Sequence, residues 1–227
     1  MKRSKRLKSQ DEKFDKTKAY SLEEAIAMLK ESQVKFDAGI ELHLNLGIDP
    51  KKSSQLARGT IVLPHGTGKT KRVAAFVSEA KQTEAKEAGA DIVAGDDEIA
   101  KIKETGKCDF DVAVATPDMM KKLGPIAKTL GQQGLMPNPK TDTVGEDVKR
   151  MVTELKGGKI AFRNDDGGNI HILVGRVSFE PAQLIANITT ATEAIRKARA
   201  AEVKGQYITN IVVSSSMGPG IRIALSA

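Results

Sequence analysis

The run Gly66-Thr-Gly-Lys-Thr70 is the first place in this chain where residue types and spacing could do chemistry. Glycine-freed amides beside a lysine can cradle phosphate, provided a further glycine opens the loop upstream. Leu63 occupies that position, inside an apolar run from Thr60 that ends at Pro64, so the phosphate loop is incomplete. No acidic strand end downstream offers a Mg²⁺ partner, and the glycines read instead as a hinge. His43, His65, His171 and Cys108 lack ligand-like spacing, so no metal site is expected. Asp165 and Asp166 could suggest paired carboxylates, but Asn164-Asp-Asp-Gly-Gly168 is ordinary turn chemistry. The chain has neither a nucleophile elbow nor a zinc-protease motif, and its cysteine stands in no activating context. The sequence therefore argues against an enzyme and against a cofactor.

Two other stretches carry chemistry of a different kind. Ser214-Ser-Ser-Met-Gly-Pro-Gly220 sets three hydroxyls and a thioether on a backbone freed by glycine, between two strand-like segments. Such a loop can give hydroxyl and amide donors to sugar and phosphate while Met217 packs on a base or ribose; the plainer alternative is a serine-rich turn. Lys35-Phe36-Asp37 puts an aromatic beside a cation just before a strand, in a chain with only 4% aromatic residues. On its own, Phe36 reads as a core residue.

The elements that must position these residues are legible from periodicity. Ser21-Leu-Glu-Glu24 is a capping box, and Leu22, Ala25, Ile26 and Leu29 follow at helical spacing to about Glu31. Ile40, Leu42, Leu44 and Leu46 alternate with Glu41, His43 and Asn45, which predicts a strand with one buried and one wet face. After Pro64 short apolar strands (Val73–Val77, Asp91–Ala94, Phe110–Ala115) alternate with helices, the signature of a parallel sheet covered on both faces. A helix with Val148, Met151, Val152 and Leu155 on one stripe closes at Gly157-Gly158. Beyond it, Lys159–Arg163 and Ile170–Val177 read as a hairpin, Pro181 opens a helix, and strands follow at Ile208–Ser214 and near Ile221–Leu225.

The two ends share one style and the middle another. The expected class is α/β in two domains. One is a discontinuous, split β-α-β two-layer sandwich at 1–65 with 158–227; the other is a three-layer, Rossmann-like parallel sheet inserted at 66–157. Pro64, His65, Gly66, Gly157 and Gly158 would then form a two-stranded hinge. Charge follows the same division. Residues 66–157 hold 15 basic and 15 acidic side chains, so the whole formal charge of +7 sits on the split domain, and the first 18 residues supply 8 basic against 3 acidic. An excess of that kind favours a polyanionic partner. No apolar run is long enough to span a bilayer, the basic start is followed by no apolar stretch, and one cysteine suits a reducing cytoplasm.

Together these segments closely resemble the bacterial ribosomal protein L-one family. The stretches that carry the resemblance are Lys35-Phe-Asp37, Leu46-Gly-Ile-Asp-Pro50, Arg58-Gly59, Leu63-Pro-His-Gly-Thr-Gly-Lys69 and Ala88-Gly-Ala-Asp91. They continue with Phe110-Asp111, Ala115-Thr-Pro-Asp118, Gly134-Leu-Met-Pro-Asn-Pro-Lys140, Phe162-Arg-Asn-Asp165, Ile170-His171 and Met217-Gly-Pro219. They run in register over nearly the whole chain. The resemblance implies a cytoplasmic protein of the large ribosomal subunit whose split domain grips large-subunit ribosomal RNA in the mobile stalk. It also implies assistance to deacylated tRNA leaving the exit site, and repression of the protein's own messenger RNA through an RNA mimic. The RNA surface it implies is Phe36, Ser215, Ser216, Met217 and Gly218, with Lys35, Asp165 and His171 as second-rank candidates.

The chain departs from the family pattern at Ser214–Ser216 (usually threonines), Asp166 (usually lysine), Gln132-Gln133 (commonly Pro-Arg) and Asp142 (usually glycine). Two other readings stay open. One is a nucleotide-binding α/β enzyme centred on the middle domain, although Ser78-Glu-Ala-Lys81 follows its first strand where a glycine-rich fingerprint would be needed. The other is a translational repressor working off the ribosome.

Overall fold

Ser21 begins the first helix by a reciprocal cap: its Oγ accepts the Glu24 amide at 3.3 Å and the Glu24 carboxylate accepts the Ser21 amide at 3.1 Å. The computed structural model describes Ser9, Asp15, residues 17–31 and residues 34–224. In chain order its elements begin with α1 (Leu22–Lys30), β1 (Gly39–Leu46), β2 (Arg58–Val62), β3 (Val73–Phe76), α2 (Glu79–Glu87), β4 (Ile92–Ala94) and α3 (Asp96–Thr105). They continue with β5 (Val112–Ala115), α4 (Pro117–Lys122), α5 (Ala127–Gln132), α6 (Val148–Lys156), β6 (Lys159–Arg163), β7 (Asn169–Arg176), α7 (Pro181–Lys197), β8 (Ile208–Ser215) and β9 (Gly220–Arg222). None of the helices described is long and apolar enough to cross a membrane. The chain forms two compact units, Met1–Gly68 with Ile160–Ala227, and Lys69–Lys159.

The split unit is built on a four-stranded sheet in the order β7-β1-β8-β9, every neighbour antiparallel. The alternation in β1 sends Ile40, Leu42, Leu44 and Leu46 to one face, where Ala25, Ile26 and Leu29 of α1 and Leu184, Ile188, Ala191 and Ile195 of α7 cover them. The helices lie on one face only, so the other face, with Glu41, His43 and Asn45, stays open. The second unit is a parallel sheet in the order β4-β3-β5. One face packs on α3, α4 and α5 through Phe76, Ile102, Met119 and Leu130; the other packs on α2 and α6 through Val73, Ala85, Val114 and Val152. Two motif aspartates fasten its central strand: Asp91 accepts the Val73 amide and Asp111 the Arg72 amide, each at 2.8 Å. The first of these bonds holds the Asp91 carboxyl below the usual carboxylate range.

The hairpin expected across Asn164–Gly168 does not form. β6 pairs with β2 in a separate two-stranded sheet, whereas β7 pairs with β1. Asn164 is the cause. It is buried, its amide donates to Ala57 O at 2.9 Å and its Oδ1 accepts the Ala57 amide at 3.0 Å, so the turn's start is bound beside β2. The following residues then redirect the chain into the larger sheet. Leu225, expected at the end of the last strand, lies outside the described residues, as does most of the basic tail.

The segments read as hinge are less alike than their glycines suggest. Gly66 and Gly68 both have positive φ, at 62° and 73°, and a Cβ on Gly68 would meet Arg176 Cδ at 2.9 Å and Phe179 Cε1 at 3.0 Å. Asn187 of α7, fully buried, donates to Gly66 O at 2.9 Å and Val174 O at 2.7 Å and accepts the His65 amide at 3.1 Å. Within the split unit, therefore, Pro64–Gly66 is held to a helix, and the chain is free of that clamp only after Gly66. At the other junction Gly157 caps α6, donating to Thr153 O at 2.8 Å, and Gly158 supplies φ of 101°.

Asp142 explains one departure from the family pattern. Its φ of 53° is left-handed, a conformation that suits glycine and that aspartate tolerates better than most. Here the aspartate also ion-pairs with Lys159, 2.6 Å away, whose buried Nζ sits 2.7 Å from Glu154 as well. Burial opposes the charge on Lys159, but the two carboxylates outweigh it and hold its pKa above the ordinary lysine value.

Two stability outcomes follow from these contacts. Asn187→Leu strands two carbonyls and one amide, and should cost about 2–4 kcal/mol in urea unfolding. Asp142→Ala and Asp142→Gly lose the same ion pair, yet only alanine keeps a Cβ at positive φ. The alanine variant should be the less stable of the two by about 1 kcal/mol, and equal midpoints would remove the backbone explanation.

Candidate nucleic-acid interface

Residue Ser216 joins the two sequence segments that carry the candidate interface, because its amide donates to Gly39 O at 2.8 Å. The register places Ser215 opposite Ile40, so the end of β8 lies against the start of β1. The Lys35-Phe36-Asp37 stretch and the loop from Ser215 to Gly218 therefore meet at one end of the open sheet. Three large apolar side chains are exposed among the described residues, and two of them are here: Met217 at 72% and Phe36 at 55%. Phe36 is thus not the core residue its type suggests.

The loop is a tight turn in which the Gly218 amide donates to Ser215 O at 2.8 Å. Met217 takes φ of 64°, a left-handed value for a non-glycine residue in a turn position that usually calls for glycine. Strain of this kind persists where the surroundings enforce it and is concentrated at functional sites. A Cβ on Gly218 would stand 2.1 Å from Ser215 Oγ, so only glycine fits beside that hydroxyl. Ser215 itself is buried and its Oγ makes no hydrogen bond, so its part is to shape the turn from beneath. The partly exposed hydroxyls are those of Ser214 and Ser216.

The approach to β1 is braced as well. Both Asp37 carboxylate oxygens take hydrogen bonds from Ser178, its amide at 3.1 Å and its Oγ at 2.9 Å, and Arg176 donates to Asp37 O at 2.9 Å. Phe36 stands next to this clamp, beside exposed Lys35. Arg176 and Ser178 were not singled out from the sequence; they come from the far end of β7 and no local signal connects them to Phe36.

Other candidates lie elsewhere on the same unit. His171 is near the middle of the open face, paired with His43 across the strands. Asp165 sits in the turn before β7, beyond the Asn45–Asn169 pair, and so at the opposite end of the sheet from Met217. It accepts the amides of Gly167 at 2.9 Å and Asn169 at 2.6 Å, and these bonds, the Asn169 one first, keep its carboxyl below the usual range. The structure therefore gathers Lys35, Phe36, Ser216, Met217 and Gly218 into one patch and sets His171 and Asp165 along the face leading away from it. Asp166 is exposed in the same turn.

His43 was read as a solvated strand residue, and the structure gives it more to do. Its Nδ1 is 2.8 Å from His171 Nδ1, its Nε2 is 2.9 Å from Ser214 Oγ, and the Glu41 carboxylate is 3.8 Å away. Asn45 donates to Asn169 Oδ1 at 2.7 Å in the row beside it. Among the described residues no group of three or more His, Cys, Asp or Glu side chains could hold a metal ion.

An open polar sheet face with an apolar, strained loop at its edge is the architecture of a protein that binds a large partner by surface contact. The comparisons give that class its family: residues 25–219 match the model of the Ribosomal protein L1p/L10e family, and the chain belongs to it. It is 50% identical over 227 residues to the large ribosomal subunit protein uL1 of Streptococcus pneumoniae (strain Hungary19A-6), covering 100% of this chain and 99% of that one. The uL1 protein of Streptococcus sanguinis (strain SK36) is likewise 50% identical over the same span.

The turn yields a contrast between neighbouring substitutions. Met217→Gly relieves the left-handed strain while loosening the unfolded chain, and should leave stability within about 1 kcal/mol of wild type. Gly218→Ala drives a methyl into Ser215 and should cost about 1–3 kcal/mol. Thermal unfolding of the two variants side by side checks this, and an undisturbed Gly218→Ala would contradict the packing described.

Proposed function

We propose that this chain is a structural, non-catalytic protein of the large ribosomal subunit that binds a folded segment of large-subunit ribosomal RNA as part of the mobile stalk. It works in the cytoplasm, on the ribosome. It assists release of deacylated tRNA from the exit site and represses translation of its own messenger RNA, which carries a mimic of the ribosomal site. The observation that carries this reading is the exposed pair Phe36 and Met217, meeting at one end of an open polar sheet in a member of a ribosomal protein family. In keeping with the family's fold, the split unit is a β-α-β two-layer sandwich and the inserted unit a Rossmann-like three-layer sheet. The inserted segment 66–157, electrically neutral, is a lever that swings about the junctions at Pro64–Gly66 and Gly157-Gly158.

Affinity divides into two terms. The excess of Lys and Arg on the split unit and its tail gives a salt-dependent, sequence-blind attraction through counterion release. Discrimination comes from RNA shape, read through 2′-hydroxyls, backbone and an unstacked base by Phe36 and the Ser-Met-Gly turn. The test is binding to a stalk-derived ribosomal RNA hairpin against scrambled RNA of equal length over a salt series. Met217→Ala should weaken the native hairpin by about 1–3 kcal/mol with little change in salt slope. Neutralising Lys2, Arg3, Lys5 and Arg6 should lower the slope and keep the discrimination. Equal loss of discrimination in both variants would sink the division, and equal, salt-labile binding of both RNAs by wild type would sink the reading itself.

A further inference from the structure

Three side chains from separate strands form one hydrogen-bonded line across the open face, and Asp165 stands at its end within ion-pair distance. Ser214 Oγ on β8 lies 2.9 Å from His43 Nε2 on β1, His43 Nδ1 lies 2.8 Å from His171 Nδ1 on β7, and His171 Nε2 lies 3.5 Å from Asp165 Oδ2 in the turn before β7. The chain therefore links the strand that carries the Ser-Met-Gly turn to the distant Asp165 end of the sheet.

The chemistry of the links restricts the protons. Two imidazole nitrogens can share only one proton between them, so one ring donates from Nδ1 and the other accepts there. With both rings neutral, the Asp165 carboxylate favours a hydrogen on His171 Nε2. His171 Nδ1 must then accept from His43 Nδ1–H, and the bare His43 Nε2 accepts from the Ser214 hydroxyl. All three donors point toward Asp165.

One added proton reverses the links on β1 and β8. It enters at His43 Nε2, the Nδ1 proton of His43 passes to His171 Nδ1, and no group is left over. His171 becomes an imidazolium facing Asp165, while neutral His43 now donates from Nε2 to Ser214 Oγ. The Ser214 hydrogen, released from His43, is free to donate outward. We propose that His43 is a positioning residue of the RNA-binding face, coupling uptake of one proton by the Ser214–His43–His171–Asp165 chain to the binding of an RNA phosphate strand. This rests on the RNA-binding reading above and adds to it a residue and a proton.

The surroundings fit such a role. His43 pairs with Val212 on β8, and Val212 pairs with Arg222 on β9, so one row across four strands runs His171, His43, Val212, Arg222. At sheet spacing the guanidinium strand stands roughly 10 Å from His43, a span that a phosphate backbone can bridge. Among the described residues the charged groups within ion-pair distance of the imidazoles are Glu41 from β1 and Asp165 from the turn, and Arg222 on β9 lies farther along the same row. Burial and the facing His171 ring hold the His43 pKa below the ordinary histidine value, against the pull of Glu41. An approaching polyanion favours the cationic form, and imidazole is the side chain that responds between pH 6 and about 8.

The experiment measures affinity for the stalk-derived hairpin and for scrambled RNA at pH 8 and pH 6, with calorimetry in two buffers of different ionisation heat to count protons. Wild type should bind the hairpin roughly three- to tenfold more tightly at the lower pH, taking up close to one proton. In His43→Gln and His171→Gln, checked for folding by thermal unfolding at both values, slope and uptake should fall to near zero. Specific binding by wild type with a flat pH profile and no uptake overturns the proposal, as does an undiminished slope in both folded variants. No discrimination between hairpin and scrambled RNA at pH 8 overturns the RNA-binding reading, and this inference with it.

Discussion

The register of β1 between β7 and β8 is the constraint on which the rest of the split unit depends. Side chains alternate strictly along a strand, so a slip of one residue would exchange the two faces. With Leu42 between Ile172 and Val213, the leucine row faces α1 and α7, and His43 falls between His171 and Val212 on the open side. The same register brings Ser215 beside Ile40 and thereby sets Met217 near Phe36. Core and interface are thus two consequences of a single pairing. The bulge between Ile40 and Glu41 adjusts the β7 side of that pairing at the end of the sheet that carries the proposed RNA-binding patch.

The proposed interface is stiff where it would have to present a shape. Ser215 beneath the turn, Gly218 closed over it and Asp37 bound by Ser178 leave the exposed Met217 and Phe36 on a fixed backbone. An apolar group held ready in this way loses little further freedom on binding. The serines that stand where the family usually has threonines keep the hydroxyls and give up the stiffening methyl. In this chain the backbone hydrogen bond from Gly218 to Ser215, with no room left for a side chain at Gly218, closes the turn from below.

The inserted unit follows a separate logic. Its sheet is covered on both faces, its balanced charge gives no general attraction to a polyanion, and its motif aspartates act on its own backbone. Asp91 and Asp111 hold the start of β3 from either side. Asp142 replaces a glycine at a left-handed position and recovers something for it through Lys159. Their hydrogen bonds and ion pair stay within the unit, so these aspartates are scaffold.

Much of this was legible in the sequence. The alternation of β1, the capping box of α1, the strand–helix rhythm of the middle segment and the charge division are properties of neighbouring residues, and neighbours determine local conformation and its exposed face. The serine-methionine-glycine loop could be picked out for the same reason. The tertiary structure alone decided what depends on residues distant in the chain. It separated β6 from β7, because buried Asn164 bonds to Ala57; it exposed Phe36, because the chain there is tied to Ser178 and Arg176 rather than turned into the core. It brought His43, His171 and Ser214 into one line. A side chain's type fixes what it can bond to, but only strand pairing across more than a hundred residues determines what it meets, since that choice is made by the packing of the whole sheet and not by any stretch of it.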